Sequence, residues 1–451
     1  MTGIEISKDG NSAVLYGASA IITTTKAAQK PIVPQESPGV QGAGGIAYWG
    51  DDNNYPNDIV ADVKKTSVLS SALYWVSKAW YSGGLVYGSL QMSEDKKKVE
   101  LIRSINTEIE SFLARNFITT KYLPLISLHY ITFWNVFSQL VLNPDRSKII
   151  ALRAFKSPWC RVSTQDEKSR RNTTGYVNSN STYGFQKDAY TLEQPLVDTE
   201  FMPVESLRLR SDGSQYIYKV SGPGLDEHTY PRAPWQAVRD SKWLALANQI
   251  PIFKNAFLKH QLSPSKHVEI HEEYWQHKYA EQWDGFDAKE KFAKKKAEYE
   301  FIGKCLNDVE NAGKGLFTSK WTDDSGNEIH GISVTELKNE GVSGLYNEDS
   351  QEANSHILYA IGFSGNLIGA TPSKTLGAGS GSDKNADWNI LVRNSKPEQD
   401  MVLEVLNFVS QYNGWVDEKG MPIVFWFENY YQQTQNQVTP ENRLIQPIGN
   451  K

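Results

Sequence analysis

The stretch Ser355-His356-Ile357-Leu358-Tyr359-Ala360-Ile361-Gly362, with Leu367-Ile368-Gly369 five positions further on, decides the architecture. It predicts a helix over about Glu348 to Ile361. Asn347 can cap it, and Glu348 and Asp349 suit the positive end of its dipole. Ile357 and Ile361 lie four apart, on one face. Gly362 ends it. The residues Phe363 to Ser382 are rich in Gly and Ser, which predicts a mobile loop. A long helix then runs from about Asp383 to Tyr412, kinked or divided at Pro397.

Toward the N-terminus, Trp243, Leu246, Ile250, Phe253 and Phe257 recur at three- and four-residue spacing. That is one stripe on a helix from about Trp235 to His260, which would span about 40 Å at 1.5 Å per residue. Pro251 inside it should bend it. After Pro264, His267 to Trp275 alternates like a strand. Ala288 to Asn311 reads as a charged helix with Phe292, Tyr299, Ile302, Leu306 and Val309 on one face, ended by Gly313. Short strands follow near Leu316 to Trp321 and Ile332 to Leu337.

The first half has a different texture. Met1 to Gly50 is rich in Gly, Ala, Thr and Pro without sustained period, as in an extended or mobile arm. Order is expected from Asn53-Asn54-Tyr55-Pro56. One helix follows, capped by Asn57, carrying Ile59, Val63, Leu69, Leu73, Val76 and Trp80, and stopped at Gly83-Gly84. A second carries Leu101, Ile105, Ile109 and Phe112. Leu123 to Leu142 holds no formal charge and is long enough to cross a bilayer. Pro124, His129, Asn135, Ser138 and Gln139 interrupt it, so it reads as a buried helix running into a strand. Phe137 to Leu142, Ile149 to Phe155 and Arg161 to Ser163 read as strands, with Asn143-Pro144-Asp145 as a turn. Thr164 to Gly184 is expected as an exposed loop, with Lys168 to Arg171 a solvated patch. Ile423 to Phe427 is a last strand before a polar tail.

Composition narrows the function. The 451 residues suggest about three units at roughly 150 residues each. Basic and acidic residues number 47 and 52, a net charge of −5, which argues against a protein that wraps DNA. A channel through which DNA slides is compatible with that balance, because each neutralised phosphate adds affinity and drag. The 13 Trp and 22 Tyr suit cores and protein interfaces. Two cysteines, Cys160 and Cys305, make neither a disulfide framework nor a four-thiolate zinc site. The opening Met1 to Gly10 is polar and lacks the apolar run of a signal peptide.

Enzyme motifs fail residue by residue. Gly313-Lys314 is followed by Gly315 and lacks the glycine that a phosphate-binding loop needs, and Gly303-Lys304 fails too. Gly377, Gly379 and Gly381 follow no predicted strand, so a dinucleotide site is not expected. Ser343 and Ser364 lack the final glycine of a nucleophile elbow. His267, Glu269 and His271 would share one strand face near Glu272, Glu273 and His277, and such side chains can ligate zinc or manganese. The spacing fixes no third ligand, and a polar strand at a subunit interface is the favoured reading. No cofactor, resident metal or catalytic residue is assigned. A metal-dependent enzyme using His267 and His271 stays as the alternative.

Taken in order, these pieces resemble the portal proteins of tailed bacteriophages from Asn53 onward. Asn54-Tyr55-Pro56, a helix, and Tyr81-Ser82-Gly83-Gly84-Leu85-Val86-Tyr87-Gly88 resemble the opening of a portal wing. Asn135-Val136-Phe137-Ser138 and Ile149 to Val162 resemble the wing sheet, although Trp134-Asn135 stands where the family often has Gly-Asn. Ser355 to Gly362 with Leu367-Ile368-Gly369 is the most specific piece. The resemblance implies an α+β fold: a mixed wing, a helical stem, a small α/β clip, a long helix after a tunnel loop, and little or no crown. It divides the chain into an arm (1–52), wing (53–233), first stem helix (234–262), clip (263–340), second stem helix (341–362), tunnel loop (363–382) and the rest of the wing (383–451).

The resemblance also implies a function. Subunits, usually twelve, form a ring at one capsid vertex, assembled in the host cytoplasm and retained in the virion, with no membrane partner. Double-stranded DNA is driven through by a separate terminase. The major capsid protein, scaffold and head-tail adaptor are the other partners. Ser373, Lys374, Gly377, Gly379, Ser380, Gly381, Ser382 and Lys384 would meet DNA. Trp243, Leu246, Ile250, Phe253, Phe257, Ile357 and Ile361 would pack the stem. His267, Glu269 and His271 would lie where the adaptor docks. Another phage structural protein, such as an adaptor, is the second alternative.

Overall fold

Breakers in the sequence set where each element stops. The computed structural model describes residues 4–6, 12–15, 20–23, 42–43, 45–92, 99–166, 169–180, 184–225, 229–260, 266–307, 320–322, 326, 328–336, 346–368, 381–431 and 446–447. In the expected arm, β1 (Ile4–Ile6), β2 (Ser12–Leu15) and β3 (Ala20–Thr23) form an antiparallel sheet, followed by the hairpin of β4 (Gly42–Ala43) and β5 (Ile46–Ala47). The core begins here, ahead of Asn53. Ile46, Ala47 and Trp49 are buried, and Trp49 stacks on Tyr230 at 4.6 Å between ring centroids.

Two helices, α1 (Tyr55–Lys65) and α2 (Ser67–Tyr81), replace the one expected. Asn54, not Asn57, precedes the first. Thr66 breaks the run by taking an extended conformation, held through its hydroxyl to the Asn248 side chain. Then come β6 (Leu85–Met92), β7 (Val99–Arg103) and α3 (Thr107–Arg115). Leu101 and Ile105 are therefore not helical. The helix waits for Asn106, whose side-chain oxygen accepts from the amides of Glu108 and Ile109. The uncharged stretch divides as expected into α4 (Leu123–Phe133) and β8 (Asn135–Leu142), separated by Trp134 at φ 62°. Among the described residues no helix is long and apolar enough to cross a membrane.

Next are β9 (Ile149–Phe155), β10 (Cys160–Val162), β11 (Thr174–Val177), β12 (Leu192–Pro195), α5 (Pro203–Leu209) and β13 (Gln215–Ser221). The expected exposed loop of Thr164 to Gly184 is thus a correction. It contains β11, and its Arg171 is buried in an ion pair with Asp198 at 2.7 Å. The helix expected from Trp235 is also shorter. A turn at Pro234–Gln236 buries Trp235, whose indole donates to the Ile131 carbonyl at 2.8 Å. It leads to α6 (Ala237–Asp240), and only after Lys242 at φ 68° does α7 (Trp243–His260) begin, with Pro251 inside it.

The remainder is β14 (Lys266–Ile270), α8 (Tyr274–Tyr279), α9 (Gln282–Gly285), α10 (Ala288–Asn307), β15 (Lys320–Thr322), β16 (Glu328–His330), β17 (Ile332–Glu336), α11 (Asn347–Ile361), α12 (Gly381–Asn394), α13 (Lys396–Asn413), β18 (Ile423–Phe427), β19 (Tyr430–Tyr431) and β20 (Gln446–Pro447). Asn347 opens α11 rather than preceding it. The break at Ser395 before Pro397 divides the long helix, as its proline requires.

The chain forms two compact units, residues 1–248 with 349–451, and residues 249–348. Besides the β1-β2-β3 sheet, the first holds antiparallel three-stranded sheets ordered β18-β6-β7, β13-β8-β9 and β10-β11-β12. Helix α13 buries Val402, Leu403, Val405, Leu406 and Val409 in its core. The second pairs β14 with β17 and gathers Tyr274, Trp275, Trp283, Ile302 and Ile332 into a small core. Of the apolar face expected on α10, Ile302 is buried, whereas Phe292 and Tyr299 are exposed. Lysine ammonium groups of the same helix lie over the aromatic cluster. Lys291 lies over Trp283, and Lys294 over Tyr279 and Phe286. Mixed helices and small antiparallel sheets make the fold α+β, as expected.

His129 on α4 is buried, and its Nδ1 accepts from the Ser157 amide at 3.0 Å. Burial, helped by Lys156, pushes its pKa down to about 3. The unfolded chain, with an imidazole near 6.5, takes up a proton first on acidification. Stability is therefore lost as pH falls below about 6.5, by up to ~1.4 kcal/mol per pH unit from this group. Thermal melts of His129→Asn should show a shallower acid-side decline between pH 6.5 and 4.5 than the unsubstituted chain.

Candidate functional site

The most specific stretch of the sequence ends in a left-handed turn. Gly362 has φ 73°, and the amides of Gly362 and Phe363 donate to the carbonyls of Tyr359 and Leu358, both at 3.0 Å. That closes α11 in the manner of a glycine C-cap. The expected loop does not begin at once. Phe363 is buried, and Gly365–Ile368 forms a 3-10 turn. Ser373, Lys374, Gly377, Gly379 and Ser380 lie outside the described residues. Gly381 and Ser382, expected in the loop, instead form the exposed first turn of α12, with Lys384 half-buried behind them.

What ties the turn to α12 escaped the sequence. Asp387 Oδ2 accepts from Ser364 Oγ at 2.6 Å and from Asn366 Nδ2 at 3.0 Å. Trp75 on α2 meets Phe363 at 5.4 Å and Trp388 at 6.4 Å between centroids. The Trp388 indole donates to the Tyr430 carbonyl at 2.9 Å. No spacing rule joins residues 75, 364 and 387, and only the aromatic character of Trp75 and Trp388 could have drawn notice.

The helix stripe is placed unevenly. Trp243 stacks on His356 at 4.0 Å with planes 13° apart, and Ile357 is fully buried. Leu246 and Ile361 are half-buried, and Ile250 is buried. Phe253 is 46% exposed and meets Tyr346 edge-on at 5.2 Å. The side chain of Phe257 lies outside the described residues.

His267 and Glu269 are exposed on β14, opposite Thr335 and Ser333, with His267 Nδ1 3.8 Å from Glu269 Oε1. The strand stops at Ile270, so His271 falls beyond it rather than on a shared face. His271 turns to the edge of Trp321 at 6.0 Å, and His277 stacks on the same indole at 4.1 Å. Among the described residues no three His, Cys, Asp or Glu side chains gather as a metal site.

A cavity of about 1230 Å³ lies among Arg171, Asp198, Arg210, Lys219, Met202 and Glu404. Several of its charged groups are engaged by neighbouring residues. Arg171 pairs with Asp198, Arg210 Nε donates to Asp212 Oδ1 at 3.0 Å, and Lys219 donates to the Thr229 carbonyl at 2.5 Å. Burial raises the Glu404 carboxyl above its usual range, against the Tyr218 hydroxyl that donates to it at 2.8 Å. The Cys160 thiol is buried and pushed up by desolvation, which makes it inert rather than nucleophilic.

No family model matches the chain, and no curated protein matches it. Solved structures do. A chain in the neck of an empty GTA particle computed with C6 symmetry superposes with a TM-score of 0.51 at 13% identity, over 88% of each chain. A chain in the virion of a native gene transfer agent (GTA) particle gives 0.51 at 12%, over 85% of this chain and 86% of that one. The neck of a native GTA particle computed with C12 symmetry gives 0.51 at 12%, over 88% of each. At this identity the likeness is one of fold, and it extends over nearly the whole length.

The glycine turn is open to a direct check. No atom lies near a Cβ placed on Gly362, so strain from its positive φ is the main penalty for a side chain there. Gly362→Val should cost about 1–2 kcal/mol, measured as a lower urea midpoint with unchanged slope.

Proposed function

We infer that the chain is the portal subunit of a tailed phage or phage-like particle. The observation that carries this reading is the fold shared along almost the full length of both chains with a chain of GTA neck structures, described with six- and twelvefold symmetry. The similar lengths of the matched chains speak against a short adaptor.

On this reading residues 53–233 and 383–451 are the wing, 234–262 and 341–362 the stem helices, 263–340 the clip and 363–382 the tunnel loop. About twelve copies form a ring at one vertex of the virion, and terminase drives double-stranded DNA through it. Capsid protein and scaffold surround the wing, and an adaptor later docks at the clip near His267, Glu269 and His271. The role is structural rather than catalytic. Ser373, Lys374, Gly377, Gly379, Ser380, Gly381, Ser382 and Lys384 give brief, sequence-blind contacts to phosphates. A net charge of −5 per copy, about −60 per ring, keeps DNA from sticking.

Negative-stain images and mass measurements of the purified protein should show rings of about twelve subunits. A small monomer under every assembly condition would overturn the reading. Lys374→Glu combined with Lys384→Glu should leave ring formation intact and lower packaged DNA per particle several-fold, as scored by nuclease protection.

A further inference from the structure

Strand β7 is an open edge. It ends the sheet ordered β18-β6-β7, and among the described residues no strand pairs with its outer side. The hydrogen bonds show which groups lie there. The Ser104 amide donates to the Tyr87 carbonyl at 3.1 Å, and on the other side of β6 the Glu428 amide donates to the Gly84 carbonyl at 3.0 Å. Bonded and non-bonded pairs alternate along an antiparallel ladder. Ile102, opposite Ser89, is therefore bonded into the sheet. Leu101, opposite Leu90, and Arg103, opposite Gly88, turn their amides and carbonyls outward. The side chains at this edge are apolar and uncovered. Leu90, Met92 and Leu101 share one face and are 46%, 59% and 40% exposed. Ile102 on the other face is 43% exposed, and Ile105 just beyond the strand is 93% exposed. An apolar edge left in water is a template for a strand of another chain, and soluble proteins cover such edges.

The same chain carries a second small sheet with outer strands to offer. In β1-β2-β3 the outer strands are β1, which contains Glu5, and β3, Ala20-Ile21-Ile22-Thr23, which holds no charge. Within one copy this sheet and β18-β6-β7 stay separate. The 18 residues 24–41 join β3 to β4, and a chain of that length can span up to about 60 Å. That is about twice the width of a small domain. Pairing β7 with another β7 would stop at two subunits, whereas pairing it with a different edge is head-to-tail and can close into a ring.

We propose that β3 of a second copy adds to the open edge of β7, and that this contact covers the apolar side chains around it. That the contacts close into a ring rests on the portal reading. Main-chain bonds from Leu101 and Arg103 supply the pairing, and the alternating side chains of the added strand lie over both faces of the edge.

The test uses the full chain in a Cys305→Ser background, since the other cysteine, Cys160, is buried. Copies carrying Leu101→Cys are mixed before assembly with copies carrying Ile22→Cys and treated with a short bis-maleimide. A link between the two forms then joins separate subunits. Covalent pairs should appear in the mixture and in neither form alone. A mixture that assembles without them overturns the proposal, and so do pairs formed by Leu101→Cys copies alone. Leu101→Pro removes an amide that the subunit's own sheet does not use, so its melting at non-assembling dilution should not change. Its assembled fraction should fall about tenfold. Unchanged assembly counts against the strand contact. Should Leu101→Pro lose stability, Leu101→Lys carries the same comparison with the backbone kept. Rings without cross-linked pairs would sink the strand contact and leave the portal reading, whereas cross-linked pairs in open oligomers that never form rings would do the reverse.

Discussion

The pairing of β18 with β6 is the constraint on which the larger unit depends. Ile423 lies opposite Ser89 and Phe427 opposite Leu85, so residues more than three hundred apart must meet in register. Glycines allow close approach on both sides of β6, Gly83 toward the end of β18 and Gly88 toward β7. A Cβ at Gly88 would overlap the Ile102 carbonyl, and one at Gly83 would overlap the Glu428 carbonyl. Around the join, Ser89 donates to Asp417 at 2.6 Å, and Gln399 donates to the Trp80 carbonyl and to Asn429, each at 2.8 Å. The chain leaves this unit at Asn248 and returns at Asp349, so the last hundred residues complete a core begun by the first. Such non-local pairing must meet its loop-closure entropy before its contacts repay it, which slows folding.

Buried polar groups give the same unit its specificity. The Arg161 guanidinium is fully buried and donates to the side chain and carbonyl of Asn53 and to the carbonyls of Pro158 and Cys160. Trp49 and Phe185 lie against it at 5.6 and 5.1 Å. Burial lowers its pKa to about 10, still far above neutrality, so the charge is kept and shared among carbonyl dipoles and aromatic faces. His129, by contrast, is kept neutral by its burial. One buried base holds its charge and the other gives it up because guanidinium is so much the stronger base. Arg161 ties β10 to the segment before α1 through Asn53, and His129 ties α4 to the backbone at Ser157.

Gly362 turns the chain out of α11 into a join where Asp387 receives Ser364 and Asn366 and Trp75 meets Phe363 and Trp388.

Local patterns made much of this legible. The α4–β8 division, the strands Ile149–Phe155 and Ile423–Phe427, the break before Pro397 and the end of α11 at Gly362 all follow from period, proline or glycine. The α+β class was expected from the family resemblance, which rests on short pieces recurring in order along the chain. Other features were decided only in three dimensions. Thr66 interrupts a helix because Asn248 holds it, and Arg171 leaves an apparent surface patch because Asp198 receives it. Asp387 matters because a turn more than twenty residues earlier brings it two donors. Each of these turns on a partner distant in the chain. Sequence periodicity reports which face is apolar, but the free energy of a buried charge or a shared hydrogen bond depends on what folding brings beside it.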